Sequence, residues 1–221
     1  MIRPDLEKAL LEINLRISEE SIQSFELFAA ELKKWNRKFN LTAICNDTDI
    51  AIKHVVDTFF FAACLRSDDT LLDVGSGAGI PAIPLKIIKP NNSVVSVDAI
   101  GKKIMFQRHV ARLLRLDRFE ALHARVESLH STHAGCFDVI TSRAFSSLDA
   151  FVVLAAPLLK SGGRLIAMKG PEVQSEIDRT GKGLRALGFE ICSVEHYTLP
   201  MNKGSRCLVT ISAVNAHEQG F

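Results

Sequence analysis

The chain has 221 residues, 27 Lys plus Arg against 25 Asp plus Glu, a net charge of +2 and 47% apolar residues. That much non-polar material excludes intrinsic disorder, and the length suits one domain with an added segment better than two full domains. The small net charge excludes a chain that is cationic throughout, although a sum cannot register charge gathered on one face.

The first predicted element is a short helix opening at Pro4-Asp5. Ser18, followed by Glu19 and Glu20, is the N-cap of a longer one. Its apolar residues Ile22, Phe25, Phe28, Ala29, Leu32, Trp35 and Phe39 fall on one face. After a break at residues 40–44, Asp47 opens another helix with Ile50, Val55, Val56, Phe59 and Ala63 expected inward. From Thr70 short apolar runs ending in Gly or Asp alternate with helical patterns, the mark of a parallel α/β sheet. Strands are predicted at about 70–74, 93–97, 118–122, 137–141 and 163–169. A helix near 172–187 precedes strands at about 189–197 and 206–214, and the short turn 201–204 between them requires an antiparallel pair. The organisation is therefore a helical extension, 1–66, packed on an α/β domain, 67–221, with a seven-stranded, mostly parallel sheet that ends in an antiparallel hairpin.

The five cysteines, Cys45, Cys64, Cys136, Cys192 and Cys207, are odd in number, scattered and without a C-x-x-C pair, so neither a disulfide framework nor a zinc site is expected. Each reads as a small core residue. The N-terminal residues are charged throughout, unlike a signal peptide, and the longest apolar stretch is far too short to span a bilayer. A soluble, cytoplasmic protein with no membrane contact is expected.

Leu71-Leu-Asp-Val-Gly75-Ser-Gly77-Ala-Gly79-Ile80-Pro81 sets a glycine turn directly after the first strand, where backbone can approach a ligand closely. A dinucleotide fingerprint would carry its third glycine at position 80, but Ile80 stands there and the glycine comes one residue early. The G-x-G-x-G spacing is that of methyltransferases that use S-adenosylmethionine. Asp98, at the end of the second strand, can accept hydrogen bonds from both ribose hydroxyls of an adenosine ligand. Taken alone it could equally be a surface-turn aspartate; beside the glycine loop the ligand reading prevails. Asp73 is expected to brace the loop or face the donor's amino end. His54 and Asp57 share a helical face and read as a local hydrogen-bonded pair rather than as metal ligands.

Further motifs carry a resemblance. Trp35-Asn-x-x-Phe39-Asn-Leu-Thr42, His54-Val-Val-Asp57, Leu72 to Pro84, Gly101-Lys-Lys103, Arg125-Val-Glu127, Ser142-Arg-Ala144 and Met168-Lys-Gly170 together resemble the bacterial 16S ribosomal RNA guanine-N7 methyltransferase family, also called glucose-inhibited division protein B. The likeness runs in order through residues 15–214. It implies the class I, Rossmann-like methyltransferase fold and transfer of a methyl group from S-adenosylmethionine to N7 of one guanine in the decoding-region loop of 16S ribosomal RNA. The partner implied is that RNA or the small ribosomal subunit, and a monomer suffices. Carried over position by position, the donor site falls on Gly75, Ile80, Val126, Glu127 and Arg143, to which the loop reading adds Gly77 and Asp98. Ala99 stands where family members often have Ser.

Guanine N7 is already a lone pair in the ring plane, so no general acid or base and no metal are expected. Positioning and electrostatics remain. Arg143 is expected to position the reaction by donating to guanine O6, to a phosphate or to the donor site, because a bidentate grip on O6 and N7 would block the reacting atom. A structural ion pair is the other reading of Arg143. Candidate RNA contacts are Asn40, His54, Arg125, Lys169 and the run Lys102, Lys103, Arg108, Arg112, Arg115 and Arg118. That run faces one anion, Asp117, and leaves the rest of the chain with 21 basic and 24 acidic residues. Arg108, Arg112 and Arg115 are read at helical spacing, with a solvated face as the alternative. Phe145 is a candidate for base stacking. Two other functions stay open on the residues alone: a class I methyltransferase for a small molecule or protein, and a catalytically silent RNA-binding assembly factor.

Overall fold

The computed structural model describes residues 1–143, 145 and 147–214. Ala144 of the Ser142-Arg143-Ala144 motif lies outside the described residues, as do residues 215–221 of the expected α/β domain. Helices α1 (Arg3–Glu12), α2 (Glu19–Phe39), α3 (Asp47–Ile50) and α4 (Asp57–Ala63) precede the first strand. The sheet then builds in chain order as β1 (Thr70–Val74), α5 (Ala82–Ile88), β2 (Ser93–Asp98), α6 (Gly101–Leu113), β3 (Phe119–His123), β4 (Phe137–Ser142), α7 (Leu148–Ala155), β5 (Leu159–Lys169), α8 (Val173–Ala186), β6 (Phe189–Thr198) and β7 (Ser205–Ala213).

All seven strands form one sheet in the order β3-β2-β1-β4-β5-β7-β6. The first five are parallel and β7 runs antiparallel between β5 and β6. The short 199–204 connection dictates the hairpin. That β7 slots inside β6 is a tertiary choice: Leu208, Val209 and Ile211 are more apolar than the half-exposed residues of β6, and the inner place buries them.

Consecutive residues of each central strand enter opposite cores, because side chains alternate across a strand. Leu71, Val139, Ile166 and Leu208 pack with α4 and α5 on one face. Leu72, Ile140, Leu165 and Val209 pack with α7 and α8 on the other. Strands covered on both sides carry continuous rather than alternating hydrophobicity. The helical extension shares a third cluster with the sheet-side helices, in which Phe25, Phe28 and Leu32 meet Ile83, Phe106 and Val110.

The long helix α2 starts as expected, with Ser18 Oγ accepting from Ser21 N–H at 3.2 Å, a cap worth about 1 kcal/mol. It ends where Asn40 turns left-handed at φ 48°.

The next helix departs from expectation. Between α3 and α4 the chain makes a π-helical turn, Ala51–Val56. One added residue per turn rotates everything after it, so Phe61 and Ala62 point inward and Ala63, expected inward, is exposed. The same rotation separates His54 from Asp57, and the expected hydrogen bond between them does not form. His54 Nε2 meets Thr42 Oγ1 at 3.3 Å, whereas Asp57 accepts from Tyr197 Oη at 2.6 Å. The cysteine expectation also needs correcting: only Cys207 is buried, and Cys45, Cys136 and Cys192 are exposed on loops and edge-strand positions.

Candidate active site

Strand β1 ends at Val74 and the chain turns through Gly75, Gly77 and Gly79 at φ 68°, 60° and 76°. All three lie in the left-handed region that only glycine adopts without strain. At Gly79 a side chain would also be crowded, since a Cβ would stand 2.6 Å from Ile83 Cδ1 and force it to shift. At Gly77 it would meet open space.

Strand β2 holds this loop in place. Gly75 N–H and Ser76 N–H donate to Val97 O at 2.9 and 3.2 Å, and Gly77 N–H donates to Asp98 Oδ2 at 2.9 Å. The other Asp98 oxygen accepts from Ile100 N–H at 2.8 Å, and Lys103 Nζ stands 3.7 Å from Oδ2. Beneath the loop lies a network of buried side chains, Ser76, Ser96 and Gln107, that the sequence did not announce. Ser96 Oγ donates to Gln107 Oε1, and Gln107 Nε2 donates to Ser76 Oγ and to Gly77 O, both at 2.8 Å. Polar residues at single positions of a buried strand and a helix carry no periodic signal, so only their convergence shows their role.

The C-terminal ends of β1 and β4 flank the point where the strand order reverses, the usual ligand position in an open α/β sheet. A cleft of about 520 Å³ opens beside β1 on the β2 side, lined by Gly75, Asp98, Ile100, Lys103, Arg125, Val126, Glu127 and Phe145 among others. Its volume is that of a small-molecule site. The wall offers carboxylate acceptors at Asp98 and Glu127, apolar surface at Ile100, Val126 and Phe145, and a backbone floor at Gly75. Those groups fit an adenosine ligand: hydroxyls for the carboxylates, a flat base for the apolar wall.

Of the predicted donor residues, Gly75, Asp98, Val126 and Glu127 thus come together. Gly77 is one hydrogen bond from Asp98 but does not line the cleft. Ile80 is 8% exposed and packs in the core beneath the helical extension. Phe145 turns toward the cleft and against Phe151, with ring centroids 5.4 Å apart. Arg143, just past β4, donates from Nη2 to Lys53 O at 3.1 Å and stands 3.5 Å from Asp57 Oδ2.

Two buried ionisable groups flank that arginine. Asp73 accepts from Ala82 N–H at 3.3 Å through Oδ2, while Oδ1 has no partner among the described residues, and burial pushes its pKa up to about 7. That bond ties Asp73 to the first residue of α5 rather than to the glycines of the loop. Burial, aided by the Arg143 charge, pushes His54 down to about 3, so it is neutral. His54 Nδ1 likewise lacks a partner among the described residues.

The predicted RNA contacts are dispersed. Arg125 is exposed at the cleft. Lys169 is mostly buried, donating to Phe145 O and pairing with Glu176 Oε1 at 2.9 Å. Asn40 is exposed at the end of α2 and lines a separate depression with Asn36 and Arg37. The basic run divides. Arg108 donates to Ala121 O, Arg118 to Asn91 O and Ser93 Oγ, and Lys103 faces Asp98. The side chains of Lys102, Arg112 and Arg115 make no hydrogen bond or ion pair among the described residues. Helix α6 ends at Leu113, and Arg115 sits beyond it at φ 51°, so the expected helical spacing with Arg112 does not hold. Because α6 returns antiparallel to the strands, Arg112 and Arg115 line a separate groove of about 480 Å³ beside β3, toward the strand ends away from the cleft.

Among the described residues no group of three or more His, Cys, Asp or Glu could hold a metal ion, and no helix is long and apolar enough to cross a membrane.

Comparison with known proteins identifies the fold and the family. The fold is similar to that of the fibrillarin from Aeropyrum pernix in complex with S-adenosyl-L-methionine, with a TM-score of 0.55 at 18% identity over 71% of this chain and 74% of that one. It is also similar to TYW2 of M. jannaschii in complex with AdoMet, with a TM-score of 0.56 at 14% identity over 72% and 74%. In sequence, the ribosomal RNA small subunit methyltransferase G of Geobacter sp. (strain M21) is 46% identical over 206 residues, 93% of this chain and 95% of that protein. Its counterpart in Geotalea uraniireducens (strain Rf4) is 48% identical over 203 residues, 92% and 93% of the two chains. The family model described as rRNA small subunit methyltransferase G matches residues 21–205. With the glycine loop, Asp98 and the sheet order in place, the chain belongs to the rRNA small subunit methyltransferase G family.

Proposed function

We propose that the protein transfers a methyl group from S-adenosylmethionine to N7 of a guanine in the decoding-region loop of 16S ribosomal RNA. The observation that carries the donor half is the joining of the glycine loop to Asp98 at the rim of a cleft of fitting size and chemistry. The RNA half rests on family membership and on the cationic groups at and beyond the cleft.

The bound donor supplies an electrophilic methyl group on a sulfonium. The Asp98 carboxylate keeps further lone pairs for the ribose hydroxyls beside its two backbone donors, and Val126 and Ile100 cover the base. Glu127 adds an acceptor at the cleft mouth, and Ile80 supports the loop from the core side. Guanine N7 needs no proton removed, so the residues around the cleft have to orient rather than to titrate. Transfer is then governed by alignment, for which well-oriented groups supply about 7 to 11 kcal/mol. Arg143 orients the guanine through O6 or a neighbouring phosphate and leaves N7 free.

Because N7 faces the deep, narrow groove of A-form RNA, the target guanine is unpaired or splayed out of its stack. Arg125 meets the RNA at the cleft, with Asn40, Arg112 and Arg115 further along the backbone. Lys169 joins them by exchanging Glu176 for a phosphate. Residues 1–66 act as an extension on the catalytic domain, 67–221, anchored where Phe28 and Trp35 meet Phe106 at centroid distances of 6.3 and 5.7 Å. The protein works as a monomer with no metal.

The test is to incubate labelled S-adenosylmethionine with free 16S ribosomal RNA, assembled small subunits and total protein, then locate 7-methylguanine by strand cleavage. Label is expected in RNA at one guanine. Label confined to protein or small molecules, or absent from both RNA forms, overturns the proposal.

A further inference from the structure

The π-helical turn bears directly on Arg143. The Asp57 N–H, which an α-helix would give to Lys53 O, bonds instead to Ile52 O. Lys53 O accepts from Arg143 Nη2 at 3.1 Å. The extra residue of that turn also swings Asp57 inward, to 2% exposure, with Oδ2 3.5 Å from the same nitrogen. A third segment completes the arrangement. Tyr197 of β6 donates its hydroxyl to Asp57 Oδ1 at 2.6 Å, and its ring stacks on Phe60 with centroids 4.3 Å apart. Burial and the Asp57 charge push the phenol upward, so it stays protonated and can only donate to that carboxylate.

We propose that Asp57 and Tyr197 are positioning residues which, with Lys53 O, hold Arg143 by a single nitrogen and present its remaining donors to the transfer rim. The proposal rests on the assignment of Arg143 to methyl transfer made above. A guanidinium carries five N–H donors in one plane, so fixing Nη2 fixes the direction of Nε and Nη1 as well. Neither Nε nor Nη1 of Arg143 makes a hydrogen bond to the described residues. The Asp57 carboxylate is itself engaged on both sides, because one oxygen accepts from a hydroxyl of the terminal hairpin and the other faces the arginine. A buried ion pair is weak evidence for stability. Here one segment, residues 53–57, grips a side chain that lies where β4 ends at the ligand edge, and a second, β6, holds the gripping carboxylate from behind, which is the arrangement expected of an orienting device.

The full-length protein and its Asp57→Asn, Tyr197→Phe, Arg143→Ala, Asp57→Asn/Arg143→Ala and Tyr197→Phe/Arg143→Ala variants are compared by donor Kd and by single-turnover methylation at saturating donor and RNA, with urea midpoints to report folding. The property that Arg143→Ala impairs, donor affinity or transfer rate, is expected to weaken about 10-fold in Asp57→Asn and about 3-fold in Tyr197→Phe, within the roughly 100-fold that misalignment of a reacting group can cost. Each double variant is expected to be no worse than Arg143→Ala, within twofold. A merely structural role would weaken donor affinity and transfer rate together, and its losses would multiply. Wild-type values in Asp57→Asn and Tyr197→Phe beside an impaired Arg143→Ala overturn the positioning proposal and leave the role of Arg143 standing. Wild-type values in Arg143→Ala overturn both. If Asp57→Asn does not fold, Tyr197→Phe and its double variant decide the matter by the same criteria.

Discussion

Asp98 and Gly77 lock each other: the carboxylate Oδ2 accepts from the Gly77 N–H at 2.9 Å across 21 residues of chain. The acid that ends β2 therefore shapes the glycine loop as well as facing the cleft. Replacing Asp98 by Asn keeps one acceptor oxygen and the side-chain shape, whereas Ala removes the tie altogether. Donor affinity, followed by calorimetry with S-adenosylhomocysteine, is expected to weaken about 10-fold in Asp98→Asn and about 100-fold in Asp98→Ala, or roughly 1.4 and 2.8 kcal/mol. Equal affinity in wild type and Asp98→Ala would show that the carboxylate serves the loop alone.

The glycines of that loop separate backbone strain from crowding. Gly77→Ala adds a methyl group in open space and carries only the left-handed penalty of about 1–2 kcal/mol. Gly79→Ala carries the same penalty and also drives Cβ to 2.6 Å from Ile83 Cδ1, which adds about 1–3 kcal/mol unless the isoleucine gives way. Urea midpoints should rank wild type above Gly77→Ala above Gly79→Ala. Adding Ile83→Ala to Gly79→Ala should relieve the crowding but cost core packing, so the two losses should be less than additive. Strict additivity would mean that Ile83 moves aside freely.

Asp73 and His54 make opposite demands over the same pH range. Asp73 titrates near 7 when folded against about 3.9 unfolded, so its folded state binds more protons, and its contribution to stability is lost as pH rises from 4 to 7. His54 titrates near 3 when folded against about 6.5 unfolded, so its contribution is lost as pH falls from 6.5 to 3. Each is on the order of 4 kcal/mol, and together they largely cancel. Asp73→Asn should unmask a stability that climbs with pH, and His54→Gln one that declines with it. Denaturant midpoints between pH 4 and 7.5 check this; parallel profiles in the two variants would refute it.

Arg112 and Arg115 are unpaired among the described residues and lie along the groove beside β3. Reversing both to Glu should leave donor affinity unchanged, weaken RNA binding about 10- to 100-fold, and flatten its dependence on salt by about one to two in logarithmic slope. Titration of labelled RNA at several salt concentrations measures both effects. An unchanged slope would assign these arginines to the solvated surface.

The sequence alone determined the elements whose causes are local. Ser18 caps α2, three glycines turn the chain after β1, apolar runs make the strands, and the 201–204 turn forces an antiparallel hairpin, because each depends on neighbours a few residues away. The family was legible for the same reason, as its motifs are short and ordered along the chain. The tertiary structure decided everything that depends on which distant groups meet. The single added residue of the π-helical turn parted His54 from Asp57, turned Ala63 outward and brought Tyr197 to Asp57 from 140 positions away. No hydrophobic period reports such a phase shift, since it is selected by packing at both ends of the segment. Charge shows the same limit. The run from Lys102 to Arg118 reads as one basic patch, but α6 returns across the sheet, so its cations divide between the ligand edge, internal carbonyls and a separate groove beside β3. A net charge of +2 is a property of the sequence; where its free cations stand is a property of the fold.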